Sequence, residues 1–170
     1  MQLSTLAARS SGLAAPARAL TLGLVTGMRQ QLPVALLAVA ASRGRFDPGS
    51  GRLAHQLGSP GAVASAVTAA VAELVADKLP FTPARTRSGP MLGRVTTGGL
   101  VGAAVLSDAG RPPALGAALG AAGAAAGAVA GSRARAALRR RTNLPDPLWG
   151  AVEDLAALGL GVLAVATLPR

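Results

Sequence analysis

The chain has 170 residues, enough for one soluble domain or a small helical membrane bundle, and 51% of them are apolar against 14% charged. A mean hydropathy of +0.45 and an aromatic share of 2% argue against an ordinary soluble core, which leans on large rings, and favour helices packed through small residues in lipid. The net charge of +10 does not indicate nucleic acid, because the arginines fall between apolar segments without an aromatic platform for bases, and the absence of cysteine removes disulfides, thiolate metal sites and thiol nucleophiles together.

Residues 1–18 carry Arg9 and Arg18 and no acid, and read as a cytoplasmic N-terminal segment. The stretch 32–41 resembles the apolar part of a signal peptide with an Ala-Val-Ala cleavage site. It lies too deep in the chain for that and follows another apolar run, 19–28, so a first spanning helix over 19–42 is expected instead. A second span, 60–79, opens with Ser59-Pro60, an N-cap followed by proline at the first helical position. A third covers 90–107, a fourth runs from Pro112-Pro113 to about 131, and a fifth follows Asp146-Pro147 and ends near 168. Each approaches the roughly 20 apolar residues that a bilayer requires. No period-two alternation supports strands. The expected architecture is therefore all-α: a polytopic transmembrane bundle of about five spans, packed through Gly and Ala, as one domain over 19–168.

Orientation follows from basic residues in the connections. Ten fall on the N-terminal side, including the 133–141 cluster, against five on the other. That places a multi-pass protein in a bacterial inner membrane with its N-terminus in the cytoplasm and Phe81 and Trp149 at the cytoplasmic interface.

Glycines recur four residues apart: Gly23 and Gly27, Gly98 and Gly102, Gly116 and Gly120, then Gly123, Gly127 and Gly131. Residues so spaced share a helix face and let another backbone approach closely. The series points to a glycine zipper and a homo-oligomer, and is silent on whether the partner helix lies in the same chain.

The functional lead is charge inside apolar segments. Ionisable groups in spanning helices are costly and mark partners, cavities or pathways. Glu73 and Asp77 lie near the end of the second span, Glu153 and Asp154 near the start of the fifth, Arg29 in the first and Arg94 early in the third. At about 1.5 Å per residue, Glu73 and Glu153 both lie about 9 Å from the cytoplasmic ends of their helices. One shared polar site is expected, with Glu73 and Glu153 as proton or cation acceptors and Arg29 and Arg94 as counter-charges or an anion-binding pair. Asp77, Lys78 and Asp154 lie closer to the headgroups. Gln30, Gln31 and Pro33 beside Arg29 loosen the first helix where polar backbone could line a cavity. The bland alternative is that the charges pair to lock helices together.

His55 stands alone, no nucleophile sits beside a histidine base and no phosphate loop occurs. Neither an enzyme nor a metal or cofactor site is expected. The stretch Glu73-Leu-Val-Ala-Asp-Lys-Leu-Pro80 resembles an uncharacterised bacterial membrane-protein family, domain-of-unknown-function family 4126, in its Glu, three residues, then Asp-Lys-hydrophobic-Pro. The Thr26-Gly27-Met28-Arg29 entry, the Gly-rich third span and the late pair in Val152-Glu153-Asp154-Leu155 are similar to that family too, over about residues 19–168. After Pro80 the chain reads Phe81-Thr82-Pro83, where many members continue with Gly and an acid. The resemblance implies fold and location and no activity. The expected function is a small transporter or channel-like protein for an ion or solute. The rival is a non-catalytic scaffold or assembly factor whose 133–141 arginines grip anionic membrane lipid.

Overall fold

The computed structural model describes residues 2–47, 49, 56–77, 87–142 and 146–168, with side chains from residue 14 onward except at 146 and 147. Among them are six helices: α1 Gln2–Met28, α2 Leu32–Ser42, α3 Pro60–Ala76, α4 Ser88–Asp108, α5 Pro113–Arg141 and α6 Asp146–Ala166. No strand occurs among the described residues. Start signals legible in the sequence hold at α3, where Ser59 Oγ accepts from Ala62 N at 3.3 Å with Pro60 in the first turn. α5 continues ten residues past the expected end, since Arg, Ala and Leu propagate a helix and Arg139, Arg140 and Arg141 fill its last turn, where cations complement the macrodipole. The helix α1 runs unbroken from Gln2 to Met28.

The largest departure concerns 19–42, expected as one span. It is two antiparallel helices. Arg18 Nε donates to Thr167 Oγ1 (3.2 Å), while Arg29 pairs with Asp154, so α1 runs against α6. Arg45 Nη2 donates to Ala166 O (2.9 Å), so α2 returns alongside α6. Halfway, a Cβ added at Gly161 would lie 2.6 Å from Leu36 Cδ1 and 3.7 Å from Val25 Cγ1, one neighbour from each arm. The physical cause is Pro33, in the first turn of α2. It has no N–H, and in a continuous helix its ring would meet the carbonyl of residue 29, four positions back. With polar Arg29, Gln30 and Gln31 just before it, the chain turns there.

All six helices alternate in direction. One end of the bundle is apolar: Ala15, Ala19, Leu22, Leu37, Phe46, Val105, Leu106 and Leu168 form a single buried cluster. The other end is ionic. Between them, α1, α4 and α5 meet backbone to backbone. A Cβ at Gly98 would lie 2.7 Å from Gly120 O, and one at Gly102 would lie 2.9 Å from Gly120 Cα. On its other face α5 uses Gly123 and Gly127 against Leu24, while Gly23 of α1 faces Gly120. These α5 glycines therefore face helices of their own chain. Gly131, the last of the series, is half-buried.

Two helical stretches, Pro113–Arg141 and Leu148–Ala166, are long and apolar enough to cross a membrane. Large apolar side chains stay exposed along α3 (Val67, Val71, Val75) and α6 (Val152, Leu155, Leu163).

A candidate ion-pair site at the tip of a helical hairpin

A turn between two helices leaves orphaned backbone groups at both helix ends, and α2 has no side-chain cap of its own at Gln31. Glu73, arriving on the last turn of α3, fills that need. Its Oε1 accepts from Gln30 N at 2.8 Å and its Oε2 from Gln31 N at 2.7 Å. A carboxylate on the N-terminus of α2 also meets the positive end of its dipole. On the other side of the turn, Arg29 Nη1 donates to Met28 O (3.0 Å), answering one of the last carbonyls of α1. The rest of the tip is tied to α4, where Gln30 Nε2 donates to Thr97 Oγ1 (3.1 Å). Gly93 leaves room for that amide, since a Cβ there would lie 3.5 Å from it.

Arg29 is the hub. It is 2% exposed, and a buried guanidinium persists only when paired and hydrogen-bonded. Asp77, the C-cap of α3, takes Nη1 at 2.6 Å. Asp154 of α6 accepts from Nε and pairs with Nη2. Glu153 Oε2 stands 3.9 Å from Arg29 Nη2 and 3.9 Å from Arg135 Nη1 of α5. Arg94 Nη2 reaches Glu73 Oε1 at 3.4 Å. Three cations and four carboxylates from all the helical segments but α2, before which the Gln30 and Gln31 amides donate to Glu73, thus close one network around the turn.

Six of the seven residues singled out for charge, namely Arg29, Glu73, Asp77, Arg94, Glu153 and Asp154, come together here. Lys78 lies outside the described residues. Asp77 and Asp154, expected near the headgroups, are Arg29's nearest partners, with side chains 10% and 18% exposed. Glu73, expected as a proton or cation acceptor, is committed to two backbone amides. Arg135 was missed because it stands in a run of loop-like arginines. Its signal was position: the helix reaching it also carries the glycine series, and Gly150 of α6 leaves space for its guanidinium, 3.5 Å from where a Cβ would sit.

Depth adds a further feature. At about 1.5 Å per residue, Arg94 lies about 9 Å inside the start of α4, and Glu153 about 10 Å inside the start of α6. The tip thus meets α4 and α6 about one to two turns inside their starts, and α3 at its C-cap, Asp77. Among the described residues no group of His, Asp and Glu is arranged to hold a metal ion.

The sequence model of a family described as a domain of unknown function (DUF4126) matches residues 17–169. No curated protein and no solved structure matches the chain.

Proposed function

Because the chain belongs to the DUF4126 family, whose description carries no activity, we propose its function from geometry alone: a small multi-pass membrane protein that moves protons or a small cation past a re-entrant helical hairpin. The observation that carries this reading is Arg29, nearly fully buried at the hairpin tip and shared between carboxylates of α3 and α6. Helices of 10–14 residues suit re-entrant elements better than crossings, and α2 has 11. Non-helical backbone at membrane depth is tolerated only inside protein or along a cavity. Here the same carboxylate and arginine that build the site also satisfy that backbone. Broken helices whose ends meet charged groups near mid-depth recur in secondary transporters.

The chemistry is an exchange of partners. Arg29 holds Asp77 and Asp154, with Glu153 at the edge of the pair and also within reach of Arg135. A proton or cation taken up by Glu153 or Asp154 weakens their hold on Arg29. The tip of the hairpin is then released from α6 while Glu73 keeps its turn intact. Self-association is not required by Gly116, Gly120, Gly123 and Gly127 of α5, which are engaged within the chain.

The test is charge movement in proteoliposomes on jumps of pH and of a small ion panel, comparing wild type with Glu153→Gln and Asp154→Asn. A wild-type current abolished in both variants supports the reading; equal currents in all three end it. A structural scaffold is the second reading, favoured by Glu73's two backbone bonds. It predicts no current from any of the proteins and a loss of folded yield in the variants.

A further inference from the structure

At the apolar end of the bundle a groove of about 540 Å³ opens between α1 and α6. Its walls are apolar or small, chiefly Ala17, Leu160 and Leu163, with Thr21 on the inner part of α1 and Arg18 and Thr167 at the outer end. Leu163 is 63% exposed, so the groove faces outward. From Thr167 inward to Leu160 the wall extends about 10 Å along α6. Along α6 the groove is thus polar at the level of Arg18 and Thr167 and apolar inward through Ala164, Leu163 and Leu160, the order of a phospholipid from headgroup to acyl chain, while on α1 Ala14 lines it outward of Arg18 and Thr21 inward.

Arg18 is not consumed by an ion pair. Among the described residues its guanidinium donates from Nε to Thr167 Oγ1 at 3.2 Å, and no carboxylate lies within salt-bridge distance. Asp108, at the end of α4, acts on it only through its field. The other flank of α6 has a similar order: a second groove carries Arg43 and Arg45 beside Val162 and Val165. Arg45 there is tied to Ala166 O.

We propose that the α1–α6 groove binds one anionic phospholipid, its phosphate on Arg18 and one acyl chain along Leu163 and Leu160. The Arg18 guanidinium complements an anionic phosphate, and the Leu163–Leu160 wall inward of it suits an acyl chain; basic pockets between membrane helices take anionic headgroups. The proposal rests on the membrane location alone and is independent of transport.

The experiment is native mass spectrometry of the full chain in detergent, titrated with dioleoyl phosphatidylglycerol or dioleoyl phosphatidylcholine. Wild type should retain the glycerol lipid about fivefold more tightly, the worth of one basic residue near an anionic headgroup. Arg18→Gln should lose that preference, and Arg18→Lys, which keeps the charge without the Nε bond, should retain it. Ala17→Leu, which narrows the groove, should weaken both lipids, while Arg139→Gln at the opposite end should change neither. Equal retention of the glycerol lipid by wild type and Arg18→Gln would overturn the proposal. So would inorganic phosphate displacing the lipid at equal concentration, which would mark a site for the phosphate alone. Should Arg18→Gln fail to fold, the Arg18→Lys and Ala17→Leu pair decides.

Discussion

At the scale of single residues, Arg29 and Glu73 have different duties and should fail differently. Removing Arg29 leaves Asp77 and Asp154 facing each other in a largely buried site. Breaking such a network by deleting one partner costs about 3–5 kcal/mol. Arg29→Gln is therefore expected to lower the midpoint of thermal unfolding in detergent more than any other single change in the cluster. Glu73→Gln keeps one acceptor oxygen and replaces the other by an amide nitrogen that cannot accept. One of the two amides at Gln30 and Gln31 is then orphaned, a loss of about 1–3 kcal/mol. Its effect should appear as faster hydrogen exchange at 30–32 before any change at α4. Asp108 offers a pH test outside the cluster, one residue beyond the apolar stretch 90–107. Burial pushes its carboxyl above the usual range, as does the nearby Asp47 charge, while the Asp47 N–H and Arg18 pull it back. A raised folded-state pKa means the native protein binds this proton more tightly than the unfolded chain does. That stabilisation is full below the ordinary value of 3.8 and is lost as pH rises through the folded value. Asp108→Asn, which keeps the acceptor for Asp47 N, should therefore gain stability relative to wild type as pH climbs from 4 toward 7. Parallel melting curves check the sign.

At the scale of elements, α5 is the spine: Gly116, Gly120, Gly123 and Gly127 of α5 meet backbone, whereas Gly159 of α6 meets nothing. A Cβ at Gly127 would press into Leu24, 2.9 Å from its carbonyl carbon, so Gly127→Ala forces α1 and α5 apart. Overpacking of that kind costs about 1–3 kcal/mol. Gly159 in α6 has nothing within 4 Å of such a Cβ, and Gly159→Ala should be neutral or stabilising by up to about 1 kcal/mol through helix propensity. Unfolding midpoints of the two variants in one detergent separate the cases. Much of this was legible in the spacing: four-residue glycine intervals mark close-approach faces, and Ser59-Pro60 and Pro112-Pro113 mark starts. The direction of those faces was not legible, because a glycine ridge reads the same whether its partner is the next helix or another chain. The charges behaved likewise. Matched depth from the helix ends put Glu73 and Glu153 at one level, but spacing alone could not show that Glu73's partner is backbone. The hairpin was half visible: Arg29-Gln30-Gln31 and Pro33 signalled a weak point. Hydropathy, however, averages across a three-residue turn flanked by Leu, Val and Ala, and so reported one span.

At the scale of the whole molecule, that turn decides the topology. With 19–42 as one crossing, the segments before and after it lie on opposite sides. With a hairpin, both lie on the same side, and Thr167 lies beside Arg18. Moving Arg9 and Arg18 across changes the basic count from ten against five to eight against seven, so the charge bias no longer dictates which side is cytoplasmic. The exposed apolar surface of α3 and α6 suits the lipid surround of the proposed membrane protein, and the ionic network is buried within the chain, where pairing matters most.

The hairpin is the central claim, and the absence of cysteine makes it directly measurable. Single cysteines at Ser10, Ser42 and Arg133 in sealed, uniformly oriented vesicles would be challenged with a membrane-impermeant thiol reagent from either side. The account predicts that Ser10→Cys and Ser42→Cys are modified from the same side and Arg133→Cys from the opposite one. Modification of Ser10→Cys and Ser42→Cys from opposite sides would mean that 19–42 crosses the membrane once, and would contradict both the hairpin and the site built on its tip.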